Sequence, residues 1–330
     1  MRRALLALAA VLSLAPRVAA AEERLICVYD PMGTSGAAYK NAQSMAIEAA
    51  AKGVTIKLRA DIEEKTAVED LVAGKCDGAV MTGVMVRRFG LPTSTIEAIG
   101  ALPRYDWLKS TLAYLKDPKL AAKMTAGEYE TGGIFPGGAI LLFTKDKAWR
   151  HTRDLAGKSI AIIGNDEAAA TMAKEVGMST KTATTATFGP MYNSGSVDTA
   201  YCPATAFEPL ELYRGIGDKG GIIDFPLAQL TLQLVLRHDR FPEGFGQWGR
   251  EYAYGHFDSA MKLVRASEEK VAKHMLDIPD ADKPGYEEKF LRVRLALRDR
   301  GVYDKLILGL MRRVRCASDG TRAECADPKE

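Results

Sequence analysis

The stretch Leu25–Gly53, LICVYDPMGTSGAAYKNAQSMAIEAAAKG, sets the architecture. Leu25 to Tyr29 is a short apolar run of the kind a buried strand makes. Ala37 to Ala51 is rich in helix formers, and Gly53 follows as a C-terminal stop. Pro31, Gly33, Thr34, Ser35 and Gly36 between them make a strand-to-helix turn. Its backbone N–H groups, with the hydroxyls of Thr34 and Ser35, suit a polar or anionic ligand group. The same residues also suit an ordinary tight turn. On the first reading, Met32, Gly33, Thr34 and Ser35 line a ligand cleft.

Moving outward, the alternation continues. GVTIKLRAD (Gly53 to Asp61) reads as a strand, Lys65 to Ala73 as a helix stopped by Gly74, and Asp77 to Thr82 as a third strand. Strands alternating with helices predict an α/β fold with a parallel sheet and right-handed crossovers. Ligands of such sheets sit at the carboxyl ends of the strands, where Thr82 and Gly83 join the first turn. The unit then recurs: Ser159 to Gly164 is a strand, Asn165-Asp166 the N-cap, and Ala168 to Val176 a helix. Two such units imply two lobes facing a cleft, with Asn165 and Asp166 opposite Met32 to Ser35.

Gly195 to Gly215 adds a strand and a helix, and Gly220 to Pro242 reads as a strand returning to the first lobe. Helices follow over Arg250 to Ala266, Glu268 to Leu276, Tyr286 to Arg298 and Val302 to Arg315. The expected organisation is a leader (1–20), the first part of lobe one (21–138), lobe two (139–232), a return strand and packing helices (233–315), and a frayed polar tail (316–330). Gly137 and Gly138 stand in one of the two lobe connections and suit a closing rotation.

The first residues carry Arg2 and Arg3, an apolar run from Ala4 to Ala15, and small residues at Ala19 to Ala21, the pattern of a cleaved secretory signal. Its removal takes three arginines and no acid, leaving 42 basic against 42 acidic residues, and the case for nucleic acid goes with it. An exported chain with five cysteines invites pairing. Cys316 and Cys325 flank a short polar loop and are the first expected disulfide. Cys27 and Cys76 meet if their strands are neighbours; otherwise both are buried thiols. Cys202 is left over.

Catalytic chemistry has few candidates. The four histidines stand in unrelated contexts, and no cysteine–histidine cluster offers a metal site. GFGQWG (Gly244 to Gly249) matches a dinucleotide fingerprint by letter but follows Pro242 in a loop, with Phe245 and Trp248 where a pyrophosphate would approach. No enzyme activity, cofactor or metal is expected. Tyr105, Phe135, Tyr192 and Tyr201 fall near turns and offer apolar walls, the tyrosines with hydroxyl tips, and Asn193 stands beside them.

Three segments, EEKTAVEDLVAGKCDGAVMTG, DLAGKSIAIIG and LTLQLVLRHDRFPEGFGQWGRE, resemble parts of the extracytoplasmic solute receptors of bacterial TRAP-type transport systems. The resemblance implies a two-lobed, type II-like periplasmic-binding-protein fold with a helical C-terminal region. It also implies a periplasmic protein that hands a small organic solute to an integral-membrane transporter component. Typical members clamp a ligand carboxylate with an arginine at the position where this chain has Ala161. An uncharged, aromatic or lipid-like solute is therefore expected, with Arg59, Arg87 or Arg104 left to supply any charge. The alternatives are an enzyme or envelope interaction module on the same fold, or a carrier of lipid-like ligands in an export system.

Overall fold

The computed structural model describes residues 22–164 and 166–330; the expected leader and Asn165 lie outside the described residues. Among the described residues ten strands build the sheet: β1 (Glu22–Tyr29), β2 (Val54–Asp61), β3 (Gly78–Thr82), β4 (Thr125–Ala126), β5 (Tyr129–Thr144), β6 (Ser159–Ile163), β7 (Ser179–Ala183), β8 (Thr199–Pro203), β9 (Gly221–Arg237) and β10 (Met275–Leu276). Their order is β2-β1-β3-β9-β5-β8-β6-β7, with β4 beside β5 and β10 beside β9. β1, β2 and β3 run parallel at one end, and β6, β7 and β8 at the other. Antiparallel β9 and β5 lie between them. The fold is α/β, with a mixed sheet flanked by helices.

β5 and β9 pair from Tyr129 with Arg237 to Thr144 with Gly221, so both strands run through both halves of the molecule. The pairing shifts between Pro136 and Gly138, at the glycine pair read as a connection, where Gly138 has φ +111°. β9 alternates as a strand with two buried faces must. Leu232 and Leu234 pack with Phe135 and Phe245, while Val235 packs on the opposite face with Cys27, Cys76 and Leu71.

The structure joins Cys27 to Cys76 across neighbouring β1 and β3, with Cα atoms 6.0 Å apart, and Cys316 to Cys325, 5.6 Å apart. Cys202 is a buried free thiol. The polar end of the chain is not frayed. The side chain of Glu330 is 1% exposed and pairs with Arg294 and, at 2.6 Å, with Arg315, which also holds Glu324 at 2.5 Å. Arg294 and Arg315 are buried, and two uncompensated guanidiniums there would be strongly destabilising, so the acidic tail folds back onto them. Their remaining N–H groups reach inward, to Ile99 O at 2.9 Å and Ala101 O at 2.8 Å.

The helical region also differs from the reading. GFGQWG is not a loop but the start of the helix Phe245–Gly255. Gly249 lies directly against the Gly132 carbonyl, where any Cβ would collide, so glycine lets this helix lie on β5. The expected continuous helix Arg250 to Ala266 breaks at His256, whose ring stacks on Tyr252 and whose Nδ1 lies 2.9 Å from the Tyr252 carbonyl. The next helix, Phe257–Val271, stops before Met275-Leu276, which add to the sheet as β10 instead of ending a helix. β7 was missed because its STKT is exposed and polar throughout, as an edge strand tolerates.

Candidate functional site

A cavity of about 60 Å³ lies between the two halves. The helix Glu167–Glu175 forms one wall through Ala168, Ala169 and Met172. Ile140 and Leu142 of β5, with Phe225 and Leu227 of β9, form another, and Val84 and Ile99 close the side of the first half. These walls are apolar. The polar side chains of the lining are Arg87, Glu97, Asp166, Tyr201 and Tyr286, the last with its hydroxyl donating to Arg150 O at 2.8 Å.

Asp166 caps the helix that begins at Glu167, its Oδ1 accepting the N–H groups of Ala168 and Ala169 at 3.1 Å each. Its Oδ2 accepts the Tyr201 hydroxyl at 3.2 Å. Arg87 arrives from the opposite half, just beyond β3, with Nη1 3.8 Å from Asp166 Oδ1 and its guanidinium 5.4 Å from the Tyr303 ring centre. Burial, then the neighbouring Asp166 charge, pushes the Tyr201 phenol well above its ordinary range, so it stays a donor. Cation, carboxylate and phenol form one buried cluster across the cleft.

Glu97 is the least expected member. It is 3% exposed, and its Oε1 accepts Gly83 N–H at 2.9 Å, Thr231 N–H at 2.7 Å and the Thr231 hydroxyl at 2.8 Å. Burial raises its pKa above the ordinary carboxyl value, against the lowering effect of these bonds and of Arg87. Next to it, Glu64 accepts Thr82 N–H at 2.6 Å, and burial pushes its carboxyl up to about 7.

Of the residues expected to meet a ligand, the structure brings Asp166 and Tyr201 to the cavity; Gly83 adjoins it through Glu97, while Thr82 donates to Glu64, outside the lining. Met32, Thr34 and Ser35 are exposed, away from the cavity, and Gly33 is with them; Asp30, not a ligand, accepts the N–H groups of Met32 and Tyr39. Tyr105 receives Ala139 N–H at 2.8 Å and donates to Glu268, beside the glycine pair in β5. Tyr192 is fully buried, donating to Thr144 O at 3.0 Å, while Asn193 donates to Leu210 O and Phe135 packs edge-on to Tyr252. These four belong to packing outside the cavity.

Arg59 is held by Asp61 and Asp70, and Arg104 by Asp106, so Arg87 is the one of the three arginines that reaches the cavity. Ala161 packs behind β6 with Phe188 and Tyr192, while its neighbour Ile160 faces the cavity. Glu97 had a readable signal: in TIEAIGALP it is a single charge inside an apolar run. Among the described residues no three His, Cys, Asp or Glu side chains gather as a metal site, and no helix is long and apolar enough to cross a membrane.

Comparison with known proteins gives a consistent picture. A family model described as Solute-binding protein AdeT 1/2 matches residues 42–330. The probable solute-binding protein AdeT1 of Acinetobacter baumannii is 33% identical over 300 residues, 91% of this chain and 99% of that protein. Among solved structures, the periplasmic ectoine-binding protein of the TeaABC TRAP transporter of Halomonas elongata aligns with a TM-score of 0.73 at 13% identity, covering 90% of this chain and all (100%) of that one. A TRAP periplasmic solute-binding protein of Desulfovibrio salexigens with bound orotic acid aligns with a TM-score of 0.72 at 13% identity, covering 89% of this chain and 99% of that one.

Proposed function

Because the chain belongs to the AdeT 1/2 family of solute-binding proteins, we propose that it captures one small, largely apolar organic solute in the cavity between its halves. We take it to release that solute unchanged to an integral-membrane transport component. The carrying observation is the cavity itself: apolar walls supplied by β5, β9 and the helix Glu167–Glu175, with a few polar side chains among them. A preformed apolar cleft with a few convergent polar groups is the usual form of a small-molecule site. A periplasmic location fits the leader-like first residues and the two disulfides. Ala161 at the expected arginine position fits as well, since Ile160 stands toward the cavity and Arg87, from the other half, lies 3.8 Å from Asp166.

Native mass spectrometry of protein purified from its own periplasm tests this. A single small apolar compound at one per chain, recovered chemically unchanged, is the expected result. Met172→Trp, which fills the cavity, should lose it. A chemically altered product, or equal occupancy in the filled variant, would overturn the reading.

A further inference from the structure

Glu97 poses an electrostatic problem that the apolar cavity does not solve. A carboxylate 3% exposed is costly unless a cation or a full set of donors answers it. The donors on Oε1 are all neutral, and Oε2 has no hydrogen-bond partner among the described residues. Arg87, the cation at the same cavity, pairs with Asp166.

β9 extends the imbalance. Gln229, Thr231 and Gln233 alternate onto one face of that strand, and both glutamines are buried at 1% and 0% exposure. Gln233 spends its Nε2 on Thr93 O and the Thr231 hydroxyl, 3.0 Å each, and leaves Oε1 unpartnered. The Gln229 amide has no partner on either atom among the described residues. Unmet oxygens on Glu97, Gln229 and Gln233 therefore outnumber the unmet donors at Gln229 Nε2 and Arg87 Nε. A carboxylate arriving here would meet Glu97 and Asp166, and the cation at the cavity, Arg87, already lies 3.8 Å from Asp166. An ammonium brings three donors and one positive charge.

Resting on the reading of the cavity as the solute site, we propose that Glu97 is the counter-ion for a primary-amine head on the solute, whose apolar body lies along Phe225, Leu227 and Met172. Asp166 and Arg87 neutralise each other and set the width of the cleft instead of clamping the head. Burial raises the Glu97 carboxyl, and an ammonium beside Oε2 would favour its ionised form.

Three probes of equal body decide the matter by calorimetry: hexylamine, hexan-1-ol and hexanoate. Hexylamine should bind at least about tenfold more tightly than the alcohol, and hexanoate most weakly. Glu97→Gln should erase the preference for the amine and leave the alcohol within about threefold, while Glu97→Asp keeps part of it. The comparison in the unaltered protein stands even if the glutamine variant does not fold. Hexanoate or hexanol matching hexylamine, or an amine preference unchanged in a folded Glu97→Gln protein, overturns the proposal and leaves the cavity reading intact. Failure of all three probes to bind at millimolar concentration overturns both.

Discussion

At the end of β1 the Asp30 carboxylate accepts the N–H groups of Met32 at 2.9 Å and Tyr39 at 3.2 Å; beyond β3, Glu64 and Glu97 accept those of Thr82 at 2.6 Å and Gly83 at 2.9 Å. Both places are strand-to-helix turns whose free N–H groups are answered by the chain's own acids. They differ in how fully the carboxylate is answered. Asp30 is buried at 4% exposure, and each of its oxygens accepts one N–H, Oδ1 from Met32 and Oδ2 from Tyr39, so the carboxylate is a cap that fixes the first helix. Glu97 is equally buried, but among the described residues it is bonded on one oxygen and unpartnered on the other, and it lines a cavity. The same local chemistry makes a cap where both oxygens are answered and leaves an acceptor to spare where only one is.

That contrast breaks first, and most severely, at Glu97. Glu97→Leu leaves two buried backbone N–H groups and the Thr231 hydroxyl without an acceptor and should cost about 3 kcal/mol or more. Urea unfolding measures it, and a loss below about 1 kcal/mol would show that water replaces the carboxylate.

The second effect is on pH. The Glu64 carboxyl is pushed from 4.5 to about 7 by burial, so the folded protein holds a proton that the unfolded chain releases. Its contribution to stability is complete below about pH 4.5 and is lost as pH rises through about 7. Glu97 is the neighbouring charge that adds to the shift. Glu64→Gln should flatten this part of the stability–pH curve; an unchanged curve would assign the slope to other groups.

Asp30→Ala comes third. It removes a cap and should cost about 1 kcal/mol in urea unfolding, with solute binding unaffected. Weaker binding in that variant would draw the first turn into the site after all. The smallest effect belongs to Thr34→Val with Ser35→Ala, both exposed: stability should change by no more than about 0.5 kcal/mol, and solute affinity by less than about twofold.

The sequence made the layered α/β plan legible because strand and helix periods repeat cleanly from Leu25 to Thr82 and again from Ser159 to Val176. The Cys27–Cys76 bond was foreseeable on one condition, adjacency of β1 and β3, which the sheet order meets. The site was harder to read. Glu97 and Thr231 are far apart in the chain and meet only because β9 inserts next to β3, a register no local pattern encodes. Arg87 looked no different from Arg59 or Arg104 until their acidic partners were located. The first turn misled because donors at a strand end imply a ligand only when nothing nearer accepts from them, and Asp30 is two residues from Met32.

The placement of β9 also governs the order in which the molecule can be made. A chain emerging from its N-terminus completes β1, β2 and β3 early, yet the inner edge of β3 has no partner until Thr82 meets Leu232 and Gly78 meets Leu236. β5 waits for the same strand along nearly its whole length. Pairings so distant in sequence make folding slow, and the waiting edges are templates for other chains. Neither half is a self-sufficient folding unit, so refolding should be a single late cooperative event, and a product cut short before Gly221 should aggregate instead of yielding a working half.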